Sequence, residues 1–413
     1  MAHAQLNTAA GDTLHVQIQA AMDLDDDVPF IQKQMTGAGP ERAAPFALDT
    51  FAIPATLATR AVELANVFKV PEPAARMQVD RLNGRRSALV TALKNNAETS
   101  TACSHVAEYC RELAELLATK PEEGEKLENQ AAIAVQQWTP FVVPKQVKGP
   151  EWNSPLAGEV DHFREVHSMG VELAMAKMVQ AQLQRRLAAE TYEKSGICAE
   201  VTTHLRDAAA TYEEASKILD VEKAKNLPGD RCVEWVPATP RILSVICSAE
   251  SQSVVAVKAE ASAKEGSTLT ASLHRGAEEL FERASAMLKA SQSEYNVINQ
   301  NWQRYLAFGA TLCCARSFRA AALATYQDGE NIGDAIALND AARRVLDRGA
   351  HIVGARDIPF DKANPATVQS RALSEDKALA DAAAARWERE NRSVQFKLVP
   401  KDTPARPDAK VVV

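Results

Sequence analysis

Apolar residues recur every three to four positions along most of this chain, the period of an amphipathic helix. Leu82, Arg86, Leu89 and Leu93 fall on one helical face, as do Val106, Tyr109, Leu113 and Leu116. A long segment from about 159 to 194 repeats Leu173, Met178, Leu183 and Leu187 within Ala-rich turns, and Leu205, Tyr212 and Leu219 continue the pattern. Further helices are expected near 240–263, 267–291, 295–327, 331–350 and 367–391. Asn226-Leu227-Pro228-Gly229, Lys264-Glu265-Gly266-Ser267, Asp328-Gly329 and Ile358-Pro359 separate them, each with Gly, Pro or a capping residue where a helix should stop or start. Composition agrees. Apolar residues make up 46% of 413, yet aromatics supply only 5%, so the core must be built from Ala, Leu and Val. Such a core suits closely packed helices better than a β-sandwich.

Two short segments break the helical period. Phe46–Ile53 alternates well enough for a strand, and Trp138–Pro144 is a second β-like piece whose prolines restrict it to an edge or to strand ends. Before them, the acidic run Asp23–Asp27 and the cluster Thr36-Gly37-Ala38-Gly39-Pro40 read as a solvated tail and a turn. Helix pairs with Ala at many contacts resemble a tetratricopeptide-like array without a strict 34-residue repeat. The expected fold is therefore mainly α: a curved helical solenoid with a tetratricopeptide-like core and a small β-sheet near the N-terminal part. The expected division is a flexible tail over 1–44 and one helical domain over 45–413.

Chemistry is harder to find. Lys+Arg 47 against Asp+Glu 54 gives a net charge of -7, so no basic excess speaks for nucleic acid or an anionic membrane. No uninterrupted apolar run reaches the roughly 18 residues of a membrane span, and Met1–Pro40 lacks the pattern of a secretory signal. A cytoplasmic protein is the expectation. The seven cysteines (103, 110, 198, 232, 247, 313 and 314) lack metal-ligand spacing and read as buried free thiols of a reducing compartment. There is no nucleophile elbow, phosphate-binding loop or H-E-x-x-H. His162 and His167, five apart, are poorly placed to share a metal on one helical face. Glu213-Glu214 and Glu278-Glu279 sit where a solvated helix face is expected. No enzyme activity, metal or cofactor is expected. An array of this kind acts by gripping a peptide or helix.

The last third becomes specific. Asn331-Ile332-Gly333-Asp334-Ala335-Ile336-Ala337 is followed by Ala341-Ala342 and Val345-Leu346, and then by Glu390-Asn391-Arg392-Ser393-Val394-Gln395-Phe396-Lys397-Leu398-Val399-Pro400. This pairing resembles the end of the Bro domain, the ALIX-like family of the endosomal sorting (ESCRT) pathway. Gln252 with Lys258-Ala259, then Leu273, Ala277, Phe281 and Ala284, resemble two central helices of that family, and Trp152 resembles the Trp that closes its early sheet. The likeness runs over roughly 45–400, and the reading is of a stand-alone domain without a V-shaped arm or proline-rich tail.

The resemblance implies a non-enzymatic adaptor. Its hydrophobic patch would receive the carboxyl-terminal amphipathic helix of an ESCRT-III subunit, and any membrane contact would be made through partners, with recruitment to endosomes. Carried over one at a time, the family's three anchors fall on Val255, Leu269 and Leu273. Leu269 and Leu273 are four apart and so share a helical face. Val254, Val255 and Val257 give the preceding helix more than one apolar side, which suits either a core sandwich or an offered surface. Two departures stand out: Val255 replaces an aromatic anchor, and Asn339 sits where the family tends to have leucine. They motivate two rival readings. One is a structural scaffold on the same fold that grips another helical partner, such as one of the cytoskeleton; the other is an unrelated helical repeat or an enzyme with an unrecognised site.

Overall fold

The helical periods become helices among the residues that the computed structural model describes: 58–64, 73–95, 97–118, 149–166, 168–223, 231–262, 267–295, 297–329, 331–353 and 365–413. They are α1 (Pro73–Lys94), α2 (Thr99–Ala118), α3 (Met169–Ser195), α4 (Ala199–Lys223), α5 (Ala238–Ser262), α6 (Thr268–Ala290), α7 (Gln300–Gln327), α8 (Ile332–Val353) and α9 (Pro365–Glu390). Each packs chiefly on its neighbours in sequence, so the nine described helices form a stack. Small side chains allow the close approach: Ala174, Ala176, Ala181, Ala208, Ala215, Ala249, Ala277 and Ala322 are fully buried. The expected faces are in place, with Leu82, Leu89, Val106, Tyr109, Leu113, Leu205, Tyr212 and Leu219 buried.

The small sheet early in the chain is present, and among the described residues it is built from segments other than the two β-like pieces. Strands β1 (Glu151–Ser154) and β2 (Glu159–Glu165) pair antiparallel, with Trp152 opposite Arg164 and a bulge between Asn153 and Ser154. The helix expected from about 159 therefore starts only at Met169; Ser168 caps it, its Oγ accepting from the Gly170 N–H at 3.1 Å. Residues 159–165 are half-buried or exposed where described and lack a wide apolar stripe, which explains why no helix forms there. His162 stands on a strand, and His167 lies outside the described residues. So do Phe46–Ile53, Trp138–Pro144, the 1–44 tail and the breaks at 226–229 and 358–359. A neighbouring piece is visible: Thr59 bridges to Trp152, beside Ala58 O accepting from Asn153 N at 3.1 Å. The strands turn through Pro155–Ala157 and Gly158, whose φ of 82° is open to glycine without strain.

Two buried carboxylates tie the stack together. Glu172 of α3 accepts from Arg86 of α1 (2.9 Å), Tyr109 of α2 (2.9 Å) and the Trp152 indole (2.5 Å). Glu250 of α5 takes a two-pronged bond from Arg185 of α3 (2.6 and 2.9 Å) and another from Tyr305 of α7. Buried charges persist only when paired in this way. All seven cysteines are free, four of them buried and three half-buried. Burial pushes the Cys110 and Cys313 thiols up to about 12, well away from the reactive thiolate. The sequence has no long uninterrupted apolar run, yet α5 and α7 are long and apolar enough on average to cross a membrane. Their most apolar windows are 72% and 61% buried in the protein, as core helices should be.

Candidate functional site

The two helices that carry the predicted anchors are α5 and α6. Helix α5 is apolar on several sides because it is sandwiched. Val254 faces Ala188, Ala189, Val201 and Leu205 of α3 and α4, whereas Val255 turns the other way, toward Leu273 of α6. Val255, Ala256 and Leu273 form one apolar cluster, and Ala259 and Leu269 pack at its margin. All three predicted anchors are thus brought together.

They are not an open patch, however. Val255 is 9% exposed and Leu273 only 1%, while Leu269 is half-buried. The chain itself closes the cluster, because Val412 and Val413 pack against it. Of the two alternatives, core sandwich or offered surface, Val255 and Leu273 take the buried one, and part of their cover is a segment whose side chains carry no helical or strand period.

That segment starts at the quoted motif. Helix α9 ends in a wide turn, Asn391–Gln395, and the Asn391 amide then clasps Lys397, accepting from its N–H (2.8 Å) and donating to its carbonyl (2.9 Å). Phe396 takes a left-handed φ of 53° and stands 74% exposed. Leu398 O then passes so close to Gly333 that a Cβ there would collide with it, so the two halves of the motif meet at a backbone crossing that only glycine permits.

From there residues 396–413 run without helix or strand across α8, α7 and α6 to α5. Arg344 of α8 donates to Thr403 (3.0 Å). Arg406 pairs with Glu278 of α6 at 2.5 Å and lies 4.2 Å above the Phe318 ring of α7. Glu278 is therefore buried in an ion pair and is not on the solvated face expected for it. Arg275 donates to Pro407 O (2.8 Å), and Lys410 N donates to Ser272 O (3.0 Å). Gly276 makes room for Lys410 O, where any Cβ would clash.

Gln252, fully buried on α5, is the central clamp. Its Nε2 donates to Lys410 O (2.8 Å) and Leu273 O (3.1 Å), and its Oε1 accepts from Val412 N (2.9 Å). In the sequence Gln252 is legible only as a mark of resemblance, and no period or motif points to Gly276 or Glu278 as contacts. The Val411–Val413 run was the available signal.

Beside the patch lies an ionic network. Glu260 of α5 meets His274 of α6 (3.2 Å) and Arg319 of α7 (2.6 Å), and Arg316 grips Asp376 of α9 at 2.6 and 2.9 Å. Burial alone would raise the Glu260 carboxyl, but Arg319 and His274 hold it well below the usual range. Burial also lowers His274, against the pull of Glu260. Arg319 also reaches Asp376 (3.5 Å), so the network joins α5, α6, α7 and α9, while the buried His274 Nδ1 and Arg319 Nε have no hydrogen-bond partner among the described residues. Asn339 belongs to the same kind of fastening: fully buried, it donates to Ala380 O (2.8 Å) and joins α8 to α9 where leucine was anticipated. Among the described residues no cluster of His, Cys, Asp or Glu is arranged to hold a metal ion.

No protein-family model matches the sequence, and no characterised protein matches it by sequence. Solved structures do match. The Bro1 domain of ALIX in complex with CHMP4C superposes with a TM-score of 0.59 at 17% identity, over 86% of this chain and 93% of that one. A Bro1 domain described as a basis for endosomal targeting gives 0.61 at 14% identity, over 86% and 90%. ALIX in complex with the SIVmac239 PYKEVTEDL late domain gives 0.60 at 18% identity, over 87% of this chain and 48% of that longer one. The chain has the Bro1-domain fold.

Proposed function

We propose that this Bro1-fold chain is a non-enzymatic adaptor whose α5–α6 patch receives the carboxyl-terminal amphipathic helix of an ESCRT-III subunit. One observation supports the reading above others. Val255, Leu269 and Leu273, from two helices, converge on a single apolar cluster, in a fold shared with a domain solved in complex with CHMP4C. The recognition is helix-in-groove: anchors spaced i, i+3, i+4 and i+7 on the incoming helix insert beside Leu269 and Leu273. Each aliphatic side chain newly removed from water contributes roughly 1.5–3 kcal/mol, less the cost of ordering the tail, which favours affinity of about a micromolar. The protein works in the cytoplasm and reaches endosomal membranes through its partner.

Leu273 is too deeply buried to be a clean probe, because an aspartate there would cost stability as well as binding. Leu269, half-buried at the margin, is the better position. Titration of an ESCRT-III carboxyl-terminal peptide should show binding that Leu269→Asp weakens at least about tenfold with helical content and melting retained. No binding by either protein would remove the proposal. A second reading, a Bro1-fold scaffold that grips another helical partner, such as one of the cytoskeleton, is favoured by the small Val255 in place of an aromatic anchor. Capture of such a partner, with no filament subunit, would select it.

A further inference from the structure

We infer that residues 406–413 are a built-in competitor for the α5–α6 patch, a strap that must swing away before a partner helix can seat. The inference rests on the reading above and adds the regulation of that site. It stands on where the strap lies, how it is held and how firmly each end is fixed.

The strap lies on the predicted anchors themselves. Val412 and Val413 complete the cluster of Val255 and Leu273, and Val413 also touches the main core, so these two valines fill the space that a partner's anchors need. A helix cannot insert beside Leu273 while they remain.

The strap is gripped through its backbone. Gln252 engages Lys410 O and Val412 N, Ser272 O receives Lys410 N, and Gly276 leaves the space through which the chain passes. A fully buried glutamine that points both ends of its amide at an extended segment is a seat prepared for that segment.

The two ends differ in fastening. Arg406 is held by its side chain, through Glu278 and Phe318, with 15% of it exposed, whereas the segment beyond it is held through the peptide groups of Lys410 and Val412 and the packing of Val412 and Val413, with Val411 48% exposed. Breaking the three hydrogen bonds at Lys410 and Val412 and the contacts of Val412 and Val413 frees this segment from the patch while Arg406 keeps it tethered. A tether this short holds the freed segment at an effective concentration in about the millimolar range, so it returns quickly and lowers the apparent affinity of a partner by the fraction of time the patch is covered.

The test uses the full chain carrying Val412→Asp with Val413→Asp, and a second variant lacking residues 409–413 in case the added charges disturb folding. Hydrogen exchange over residues 269–276 and the fluorescence of anilinonaphthalene sulfonate read patch exposure without any partner. Both should rise several-fold while the helical melt is kept, and an ESCRT-III carboxyl-terminal peptide should bind about tenfold tighter than to wild type. Unchanged exchange and dye binding in both variants overturns the inference. Weaker peptide binding also overturns it, because the strap would then be part of the groove. A rise in exposure with no peptide binding to any form leaves the strap standing and removes the proposed function.

Discussion

Two non-helical segments are laid across the helical stack, the hairpin of β1 and β2 and the strap of residues 396–413, and they are fastened by opposite means. The hairpin is inserted: residues 151–156 are all buried, and its Trp152, Ser154 and Leu156 bond to two carboxylates, Glu172 and Glu234, that have 0% and 1% exposure. The strap is laid on top, with Leu398 90% exposed and most of its bonds made by its own peptide groups. A buried charge that loses its partner is costly, while a hydrogen bond made by a peptide group near the surface is replaced by one to water at little cost. The difference separates a segment that is part of the fold from one that can leave it.

The largest effect should come from the hairpin's anchor. Glu172→Leu strands Arg86, 1% exposed in its side chain, without a counter-charge, and should cost about 3–5 kcal/mol in denaturant unfolding. Adding Arg86→Leu should recover part of that loss, and failure to recover would show that hydrogen bonding to Tyr109 and Trp152 outweighs charge pairing.

The next effect depends on pH. Burial pushes the Glu234 carboxyl up to about 7, against the bonds from Ser154 and Leu156 that favour its ionised form. Because the folded value lies above the ordinary 4.5, the native state holds the proton more tightly, and this contribution is complete below 4.5 and lost as pH rises through 7. Glu234→Gln should therefore match wild type near pH 4 and exceed it at pH 8 by up to about 3 kcal/mol. Equal midpoints at both pH values would show that the carboxylate is ionised without penalty. His274 and Glu260, both lowered, act in the opposite sense, and the stability they contribute is lost as pH falls through the histidine and then the carboxylate range.

Arg406→Ala should be milder. It removes a mostly buried ion pair and should cost about 1–3 kcal/mol, with early loss of protection at the Lys410 and Val412 amides. Global unfolding of the stack on this change would erase the distinction between hairpin and strap. Smallest of all, Val411→Ser should move the denaturation midpoint by less than about 0.5 kcal/mol, since Val411 points to solvent.

The helices were legible because Ala and Leu recur at their period over five to seven turns, and α5, α6, α8 and α9 begin or end within a few residues of expectation. The hairpin was not. Residues 159–165 adjoin a helix and carry no strong alternation, and their strand character comes from pairing with residues 151–154, a contact of tertiary origin. Val255, Leu269 and Leu273 were named by resemblance; helical spacing pairs only Leu269 with Leu273, and their meeting with Val255 depends on the packing of α5 against α6. Their cover was not legible, because an extended segment with Pro404 and Pro407 has no period to read, and its bonds run from peptide groups to Gln252, Ser272 and Arg275. Gly276 and Gly333 were the faint marks it left, each a missing side chain at a point where another backbone passes.

The clasp at Gln252 has one further implication. It reads peptide groups at Lys410 and Val412 and ignores the side chains, so lysine and the exposed valine beside it are free to drift without loosening the hold. An isosteric exchange of the clasp itself is another matter. A glutamate at 252 would turn a donor into an anion facing the carbonyls of Leu273 and Lys410, and a single atom's identity would decide whether the arm rests or is thrown off.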